Sequence, residues 1–395
     1  MRFNAGRASL RHILAVSLAA SGIAACAHTP TLTRADEVPD YLDKTLAELQ
    51  APGLRVMVVR DGQVLLDEAR GMRLAGTESS LSIHDRFHLG SNTKAMTALM
   101  VAQLVEELSL DWATTLSELF PKTEMLPAYA KVTLHDLIRH EGGFPGYLAR
   151  SNRKLWNALW DGRDDDPVET RAMLTRELLM SEPAAEQGDY LYSNSGYIVL
   201  ASALEERLGK AWESLIAERV FKPLNMDGCG IGAPAQDETL PPTQPWGHRM
   251  LTSGELKPMK PGPIADNPPA IAPAGGVHCD FESWLRFLSA YLNPDSENAT
   301  ITPDTLQALL APSKSGRYGG GWRRVYREWG DGLVLYHAGT NKRFYSVAWL
   351  APDKQSAILV GTNLYYSGIE SKVDRLVANL ISLYIQDHYA SAQKR

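Results

Sequence analysis

The sequence predicts an α/β (α+β) fold in which one antiparallel β-sheet, flanked by helices, is built from both ends of the chain around an inserted, mainly helical lobe. Two strand patterns, residues 54–59 and 64–68, flank Asp61-Gly62, a residue pair typical of hairpin turns. Three more strand patterns lie near the other end, at residues 333–337, 344–350 and 357–360. Strands at both ends with helical segments between them indicate that the helical lobe interrupts the sheet.

Helical patterns occupy much of the remaining chain. Between Lys94 and Glu106 the residues are apolar except at Thr97 and Gln103, so this helix, which opens at Ser91, is expected to be buried on all sides. Residues 369–385 have the periodicity of an amphipathic closing helix. Residues 240–276 are dense in proline, which predicts a long surface excursion of the kind that often flanks an active site.

The N-terminus has the layout of an export signal. Cationic residues precede a short apolar run and then small residues up to Cys26. Ile23-Ala24-Ala25-Cys26 resembles a bacterial lipobox, which predicts a signal peptide over residues 1–25, a lipidated Cys26, a spacer over 27–36 and a single domain over 37–390. Ordinary cleavage after Ala27 is the alternative and would give a soluble periplasmic protein. We therefore expect an exported protein that faces the periplasm, with a lipid anchor to the outer membrane as its membrane contact.

Composition and cysteine content exclude several classes of protein. The formal net charge is −6 without long runs of like charge, so neither nucleic-acid binding nor a polybasic membrane patch is expected. Apart from Cys26, Cys229 and Cys279 are too few for a disulfide framework; they could pair in the periplasm, but we expect two packing residues. His278 precedes Cys279, yet no second cysteine or histidine stands at ligand spacing, so no metal site is predicted.

Ser91 and Lys94 form the first candidate catalytic pair. A serine hydroxyl needs a nearby base to act as a nucleophile, and residues three apart on a helix share one face. Burial would push Lys94 towards the neutral amine that a base requires. The same S-x-x-K spacing recurs at Ser151 and at Ser391, in polar segments, so the burial of the helix selects Ser91.

Further segments in order make the pattern specific. Phe87 to Lys94 reads F-H-L-G-S-N-T-K, Tyr192-Ser193-Asn194 gives Y-x-N about a hundred residues on, and His337-Ala338-Gly339 gives H-x-G at the end of a predicted strand. His88-Leu89-Gly90 has the H-x-G spacing too, and we set it aside as a chance match. The ordered set resembles the serine β-lactamase and penicillin-binding protein superfamily, close to class C β-lactamases, D-Ala-D-Ala carboxypeptidases and family VIII esterases.

The resemblance implies a β-lactamase/transpeptidase-like fold and a role for each motif residue. Ser91 would form the acyl-enzyme, Lys94 would accept its proton, Tyr192 would relay a proton to the leaving group, and Asn194 would orient Lys94 and the substrate. The backbone N–H groups of Ser91 and Thr340 would hold the oxyanion. His337 would line the leaving-group side. The residues expected to contact substrate are Gly339, Asn341, Arg343 and Tyr147.

The sequence departs from the pattern at the third motif, which leaves the substrate open. Many β-lactamases carry K-T-G there, and a mostly neutral His337 attracts a substrate carboxylate less than a lysine would. Lys342 or Arg343 could replace that cation, or both could be surface residues. We therefore expect an esterase or a D-amino-acid peptidase that acts on a small-molecule or peptide acyl substrate without a cofactor. The alternatives are a β-lactamase and a catalytically idle lipoprotein that binds cell-wall peptide.

Overall fold

The computed structural model describes residues 34–108, 110–161, 166–296 and 299–386. The predicted signal peptide (1–25), Cys26, most of the spacer (27–33) and the last residues of the predicted domain (387–390) lie outside the described residues. The main sheet has seven antiparallel strands in the order β2-β1-β12-β11-β10-β9-β8. These strands are β1 Gly53–Arg60, β2 Gln63–Gly71, β8 Tyr318–Gly319, β9 Trp322–Arg327, β10 Gly332–Thr340, β11 Tyr345–Ala351 and β12 Ser356–Thr362.

Six short strands form two smaller sheets. One has the order β3-β7-β4 and the other β13-β5-β6. Their bounds are β3 Phe87–His88, β4 Gly230–Ile231, β5 Gly247–Met250, β6 Leu256–Met259, β7 Val277–Cys279 and β13 Leu364–Tyr365. The first of these sheets matters for the site, because β3 leads directly into the segment that carries Ser91.

Thirteen α-helices surround the sheets in the described part of the chain. They are α1 Val38–Leu49, α2 Thr93–Leu108, α3 Leu116–Leu119, α4 Leu134–Arg139, α5 Leu148–Ser151, α6 Arg153–Asp161, α7 Pro167–Leu179, α8 Asn194–Leu208, α9 Trp212–Ile216, α10 Ala272–Gly275, α11 Phe281–Leu292, α12 Pro303–Leu309 and α13 Ile369–Leu380. None of the helices described is long and apolar enough to cross a membrane.

The predicted sheet, built from both ends of the chain, is confirmed. β1 pairs with β12 across about three hundred residues of sequence. Asp61 and Gly62 both adopt positive φ, 50° and 72°, as a tight hairpin requires. Alternate residues of β1 enter two cores: Val56 and Val58 pack with α1 and α13, whereas Met57 and Val59 face the cluster that contains α2. Both faces of the central strands are covered, which explains their continuous apolar runs.

Helix α2 is buried all round, as its apolar sequence predicts. Nine of its residues between Ala95 and Leu104 are fully inaccessible to solvent: Ala95, Met96, Thr97, Ala98, Leu99, Met100, Val101, Ala102 and Leu104. Ser91, however, precedes the helix and lies in a 3-10 turn over Gly90–Asn92, so the α-helix begins at Thr93. The spacing of Ser91 and Lys94 on one face survives because the turn continues into the helix.

Two expectations about the chain between β4 and β7 are wrong. The proline-dense stretch 240–276 is a surface excursion only in part, because its end is buried, with Ala270 2% and Ala274 1% exposed. Cys229 and Cys279 form a disulfide and are not separate packing residues. β4 and β7 pair with Gly230 opposite His278, which puts the two cysteines side by side although fifty residues separate them in sequence.

Candidate active site

The turn that carries Ser91 is held by hydrogen bonds from its own side chains. Asn92 Nδ2 donates to the carbonyl oxygens of Leu89 (2.8 Å) and Ser346 (3.1 Å), and Thr93 Oγ1 donates to Gly90 O (2.8 Å). Gly90 has a φ of +50°, which a residue with a side chain adopts only with strain. Ser91 itself is half-buried at the surface of this fixed turn.

Lys94 is fully buried and surrounded by three oxygen atoms. Its Nζ lies 2.7 Å from Asn194 Oδ1, 2.6 Å from the carbonyl oxygen of Ala274 and 3.3 Å from Ser91 Oγ. Burial holds the pKa of Lys94 well below the ordinary lysine value. A neutral amine has two N–H donors, which Asn194 and Ala274 can accept, and its lone pair then faces Ser91. This arrangement suits a base that removes the serine proton.

Tyr192 lies on the other side of Ser91. Its ring centroid is 4.9 Å from Lys94 Nζ, and the Ser91 side chain is close enough to the hydroxyl to lower its pKa. Burial nevertheless raises the pKa of Tyr192, so the phenol keeps its proton at neutral pH. Ser193 caps α8 by accepting from Gly196 N–H (2.9 Å), and this cap places Asn194 at the first position of the helix. The Y-x-N segment therefore delivers two side chains to Ser91 and Lys94.

The strand after the third motif lies against the turn before Ser91. An added Cβ on Gly339 would be 2.5 Å from the Ser91 backbone nitrogen, and one on Gly90 would collide with the backbone nitrogen of Thr340. The two glycines thus let the backbones of Ser91 and Thr340 approach each other. The close approach is the geometry that a pair of N–H groups around one oxyanion needs.

His337 is buried, and its ring is neutral. Nδ1 donates to the carbonyl oxygen of Ala338 (2.8 Å), so Nε2 accepts from the hydroxyl of Tyr318 (3.1 Å). Burial, with the charges of Lys94 and Arg323, lowers the pKa of His337 well below its ordinary value. The imidazole is only 2% exposed, so it supports the rings of Tyr192 and Tyr318 from behind, with centroids 6.1 Å and 5.9 Å away.

The residues expected to contact substrate divide into two groups. Gly339 and Tyr147 lie beside the site, and Tyr147 is 56% exposed near Tyr192. Asn341 and Arg343 do not fit the expectation: both are buried, Asn341 Oδ1 accepts from two backbone N–H groups, and the Arg343 guanidinium donates to the carbonyl oxygens of Asn341 and Ile264. Neither side chain is presented to a substrate, because the loop after β10 folds back on itself.

Arg323 is a site residue that sequence reasoning missed. It is exposed on β9, its guanidinium carbon is 6.0 Å from the centroid of the Tyr192 ring, and no carboxylate among the described residues forms an ion pair with it. Its position directly after Gly-Gly-Gly-Trp322 was the available signal. Arg323 therefore supplies a cation beside Tyr192, whereas Arg343, the cation expected at the site, is bound to backbone carbonyl oxygens.

His140 also contacts the site, from inside the protein. Its Nδ1 accepts from the backbone N–H of Ser193 (3.1 Å), and its ring packs against Tyr192 and Tyr318. This contact fixes the Y-x-N segment, so His140 has a structural role. Among the residues that the structure describes, no group of three histidine, cysteine, aspartate or glutamate side chains could hold a metal ion.

The amino-acid sequence is similar to those of known proteins. A family model described as Beta-lactamase matches residues 38–381. Protein flp of Staphylococcus aureus (strain MRSA252) is 22% identical over 351 residues, which are 88% of this chain and 66% of that protein, just under two thirds of its length.

Two solved structures share the fold. The octameric penicillin-binding protein homologue from Pyrococcus abyssi superposes with a TM-score of 0.68 at 19% identity, covering 91% of this chain and 80% of that one. The D-amino acid amidase from Ochrobactrum anthropi SV3 superposes with a TM-score of 0.66 at 18% identity, covering 88% and 99%. The TM-scores establish the shared fold, but identities this low say nothing about chemistry, which has to be argued from the site described above.

Proposed function

The chain belongs to the beta-lactamase family, since the family model spans residues 38–381, and from this premise we propose that it is an exported serine hydrolase that forms an acyl-enzyme on Ser91. The observation that carries the proposal is the environment of Lys94. A buried amine with two acceptors for its protons and its lone pair directed at Ser91 Oγ is arranged as a general base.

The reaction follows from these contacts. Lys94 takes the Ser91 proton as Oγ bonds to the substrate carbonyl carbon, and the carbonyl oxygen, which gains the electron pair, faces the backbone N–H groups of Ser91 and Thr340. Collapse of the tetrahedral intermediate expels the leaving group, which takes a proton from Tyr192, and Lys94 returns the proton to Tyr192. Water then attacks the acyl-enzyme with the same groups acting in reverse order.

Arg323 favours a substrate that carries a carboxylate. Its guanidinium lies beside Tyr192, the residue that would protonate the leaving group, and no carboxylate of the described chain neutralises it. A peptide that ends in a D-amino acid would place its terminal carboxylate at this position, with the bidentate geometry that a guanidinium offers. We therefore rank a D-amino-acid peptidase first, with simple carboxyl esters as further acyl donors and β-lactams as the competing class.

Export is part of the proposal. Residues 1–25 have the composition of a signal peptide, and Cys26 stands where a lipid anchor would be attached. The disulfide between Cys229 and Cys279 supports this reading, because structural disulfides persist in oxidising compartments such as the periplasm. Metabolic labelling with a radioactive fatty acid tests the anchor: the wild-type protein takes up label and Cys26→Ser does not. Label on both proteins, or on neither, contradicts the anchor.

The catalytic proposal is tested by intact-mass spectrometry after exposure to a fluorophosphonate. The wild-type protein gains one adduct, and Ser91→Ala gains none. Ser151→Ala is the matched control, because Ser151 opens another S-x-x-K sequence and is exposed at the end of α5, so it keeps full labelling. Equal labelling of Ser91→Ala and the wild type refutes Ser91 as the nucleophile.

The turnover of two substrates distinguishes the possible acyl donors. A D-Ala-D-Ala peptide and a chromogenic cephalosporin are followed for turnover under the same conditions. Release of D-Ala supports the peptidase. Rapid opening of the cephalosporin without release of D-Ala would assign the protein to the β-lactamases, and a stable penicillin adduct without turnover would indicate a penicillin-binding protein that only acylates.

A further inference from the structure

We infer that the Asp266 carboxylate is a positioning residue that holds both halves of the oxyanion site in register; the inference rests on the proposed function, because it concerns the same acylation step. Asp266 is buried, 8% exposed, in the proline-dense segment before α10. It lies at the meeting point of two hydrogen-bonded arms, one from the turn before Ser91 and one from the loop after Thr340.

The first arm runs through His88. The backbone N–H of Gly90 donates to His88 Nδ1 (3.1 Å), so the ring proton must be on Nε2, which donates to Asp266 Oδ2 (2.9 Å). Gly90 immediately precedes Ser91, and its positive φ shapes the turn in which Ser91 lies. The histidine is completely inaccessible to solvent, and both of its ring nitrogens are hydrogen-bonded, which holds the ring in place.

The second arm runs through Asn341. Its Nδ2 donates to Asp266 Oδ1 (3.0 Å), and its Oδ1 accepts from the backbone N–H groups of Arg343 (3.1 Å) and Phe344 (3.0 Å). Asn341 immediately follows Thr340, whose N–H is the second expected oxyanion donor. The amide therefore fixes the turn that closes β10 and connects it to the same carboxylate.

Three N–H donors thus converge on one carboxylate: His88 Nε2, Asn341 Nδ2 and the backbone N–H of Asn267 at 2.7 Å. An ionised carboxylate can accept all three, and an amide cannot, because one of its two ends is itself a donor. Burial would raise the pKa of Asp266, but His88, Asn341 and Asn267 together outweigh burial and lower it. The Asp266 carboxylate is therefore ionised at the pH at which the enzyme works.

This arrangement gives a role to His88 and Asn341, two buried polar side chains in the segments next to Ser91 and Thr340. The N–H groups of Ser91 and Thr340 belong to chain segments about 250 residues apart. These segments are connected by the close packing of Gly90 and Gly339, by the hydrogen bonds of Ser346 to Asn92 and His88, and by the Asp266 arms. An error of about 1 Å in a catalytic group costs on the order of a hundredfold in rate. Asp266 contributes by keeping that error small.

Asp266→Asn is the direct test, because it changes an acceptor into a donor with almost no change in volume. We expect the rate constant for acylation by a p-nitrophenyl ester to fall about 10- to 100-fold, with KM for the ester within about twofold of the wild type. A phenylboronic acid that forms a tetrahedral adduct with Ser91 should lose affinity by about the same factor, since its oxygen occupies the oxyanion position. If Asp266 only stabilised the fold, the acylation rate constant and the boronate affinity would not fall while KM stayed the same.

Two further variants control the experiment. His88→Gln keeps a donor to Asp266 and loses the acceptor for Gly90 N–H, so it should reproduce the loss even where Asp266→Asn does not fold. Asp85→Asn is the matched control: Asp85 is also buried, 1% exposed, and accepts from the Arg73 guanidinium and the backbone N–H of Ser82, neither of which belongs to the Asp266 arms. Asp85→Asn should lower the thermal midpoint and leave acylation and boronate affinity unchanged.

The outcomes separate this inference from the proposed function. If the wild type is acylated, and folded Asp266→Asn or His88→Gln acylates and binds boronate within about twofold of it, Asp266 does not position the oxyanion site. An equal loss in Asp85→Asn would also overturn the inference, because the effect would then be general destabilisation. If the wild type itself is never acylated at Ser91, the proposed function fails, and this inference fails with it.

Discussion

Replacing Lys94 by methionine should remove the general base and leave the rest of the site in place. Methionine is unbranched and of similar length, and the position is fully buried, so an apolar side chain fits without exposing surface. The substitution removes one partner each from Asn194 Oδ1 and the carbonyl oxygen of Ala274. Leaving such buried acceptors unsatisfied costs about 1–3 kcal/mol each, which removal of a buried amine partly offsets.

The expected effect on rate is much larger than the effect on stability. General base catalysis contributes on the order of 10²- to 10⁴-fold, which corresponds to about 3–5 kcal/mol of activation free energy. The assay is the pre-steady-state rate of Ser91 acylation, measured as the burst of p-nitrophenol and confirmed by intact mass. Lys154→Met is the matched control, because Lys154 belongs to the exposed Ser151 sequence and should leave the burst unchanged.

The pH dependence supplies an independent check. The amine acts only when neutral, so acylation should decline as pH falls through the pKa of Lys94, which burial holds well below the ordinary value of 10.5. Lys94→Met should lack that acid limb. A folded Lys94→Met variant that acylates within about tenfold of the wild type, or that keeps the limb, would refute the assignment of Lys94 as the base.

Three further predictions concern the substrate, the backbone and stability in acid. Arg323→Gln should raise KM for a peptide with a free carboxylate about tenfold and leave a neutral ester unaffected, whereas an equal change for both substrates would contradict carboxylate binding. Gly339→Ala should lower kcat about a hundredfold, because the new methyl group lies 2.5 Å from the Ser91 nitrogen and must displace β10; unchanged kcat in a folded variant would refute the proposed oxyanion geometry. Burial lowers the pKa of His248 and of His278 to about 4, so in acid the unfolded chain binds these two protons before the folded one does. Each histidine should therefore reduce the free energy of unfolding by up to about 3 kcal/mol as the pH falls from about 6.5 towards 4. Denaturant titrations at pH 7 and pH 4.5 measure that loss, and equal free energies of unfolding would contradict it.

The comparison of sequence and structure separates local from non-local information. The hairpin at Asp61-Gly62, the long strands β1, β10, β11 and β12 and the buried helix α2 were predicted from sequence, because periodicity and turn residues act over a few neighbours. Strand β9, which lies between β10 and the edge strand β8, was missed, since its arginines give little apolar alternation. Arg323 was missed with it.

The same distinction runs through the site. The spacing of Ser91 and Lys94 is local, so the sequence alone identified the pair, and the order of the Y-x-N and H-x-G segments completed the set of catalytic candidates. The sequence could not show which side chains contact each other in the folded protein. Arg343 turned inward to backbone carbonyls, and His88, set aside as a chance match, became a partner of the turn before Ser91.

The sequence by itself therefore determined the family, the strand and helix pattern and the candidate nucleophile with its candidate base, because each of these depends on residues close together in the chain or on their order. Tertiary structure decided the Cys229–Cys279 disulfide, the exposed cation at Arg323 and the anchoring of two distant backbone segments on Asp266. Those features depend on strands and loops that are tens to hundreds of residues apart. Their contacts are set by packing of the whole chain, which no local pattern encodes.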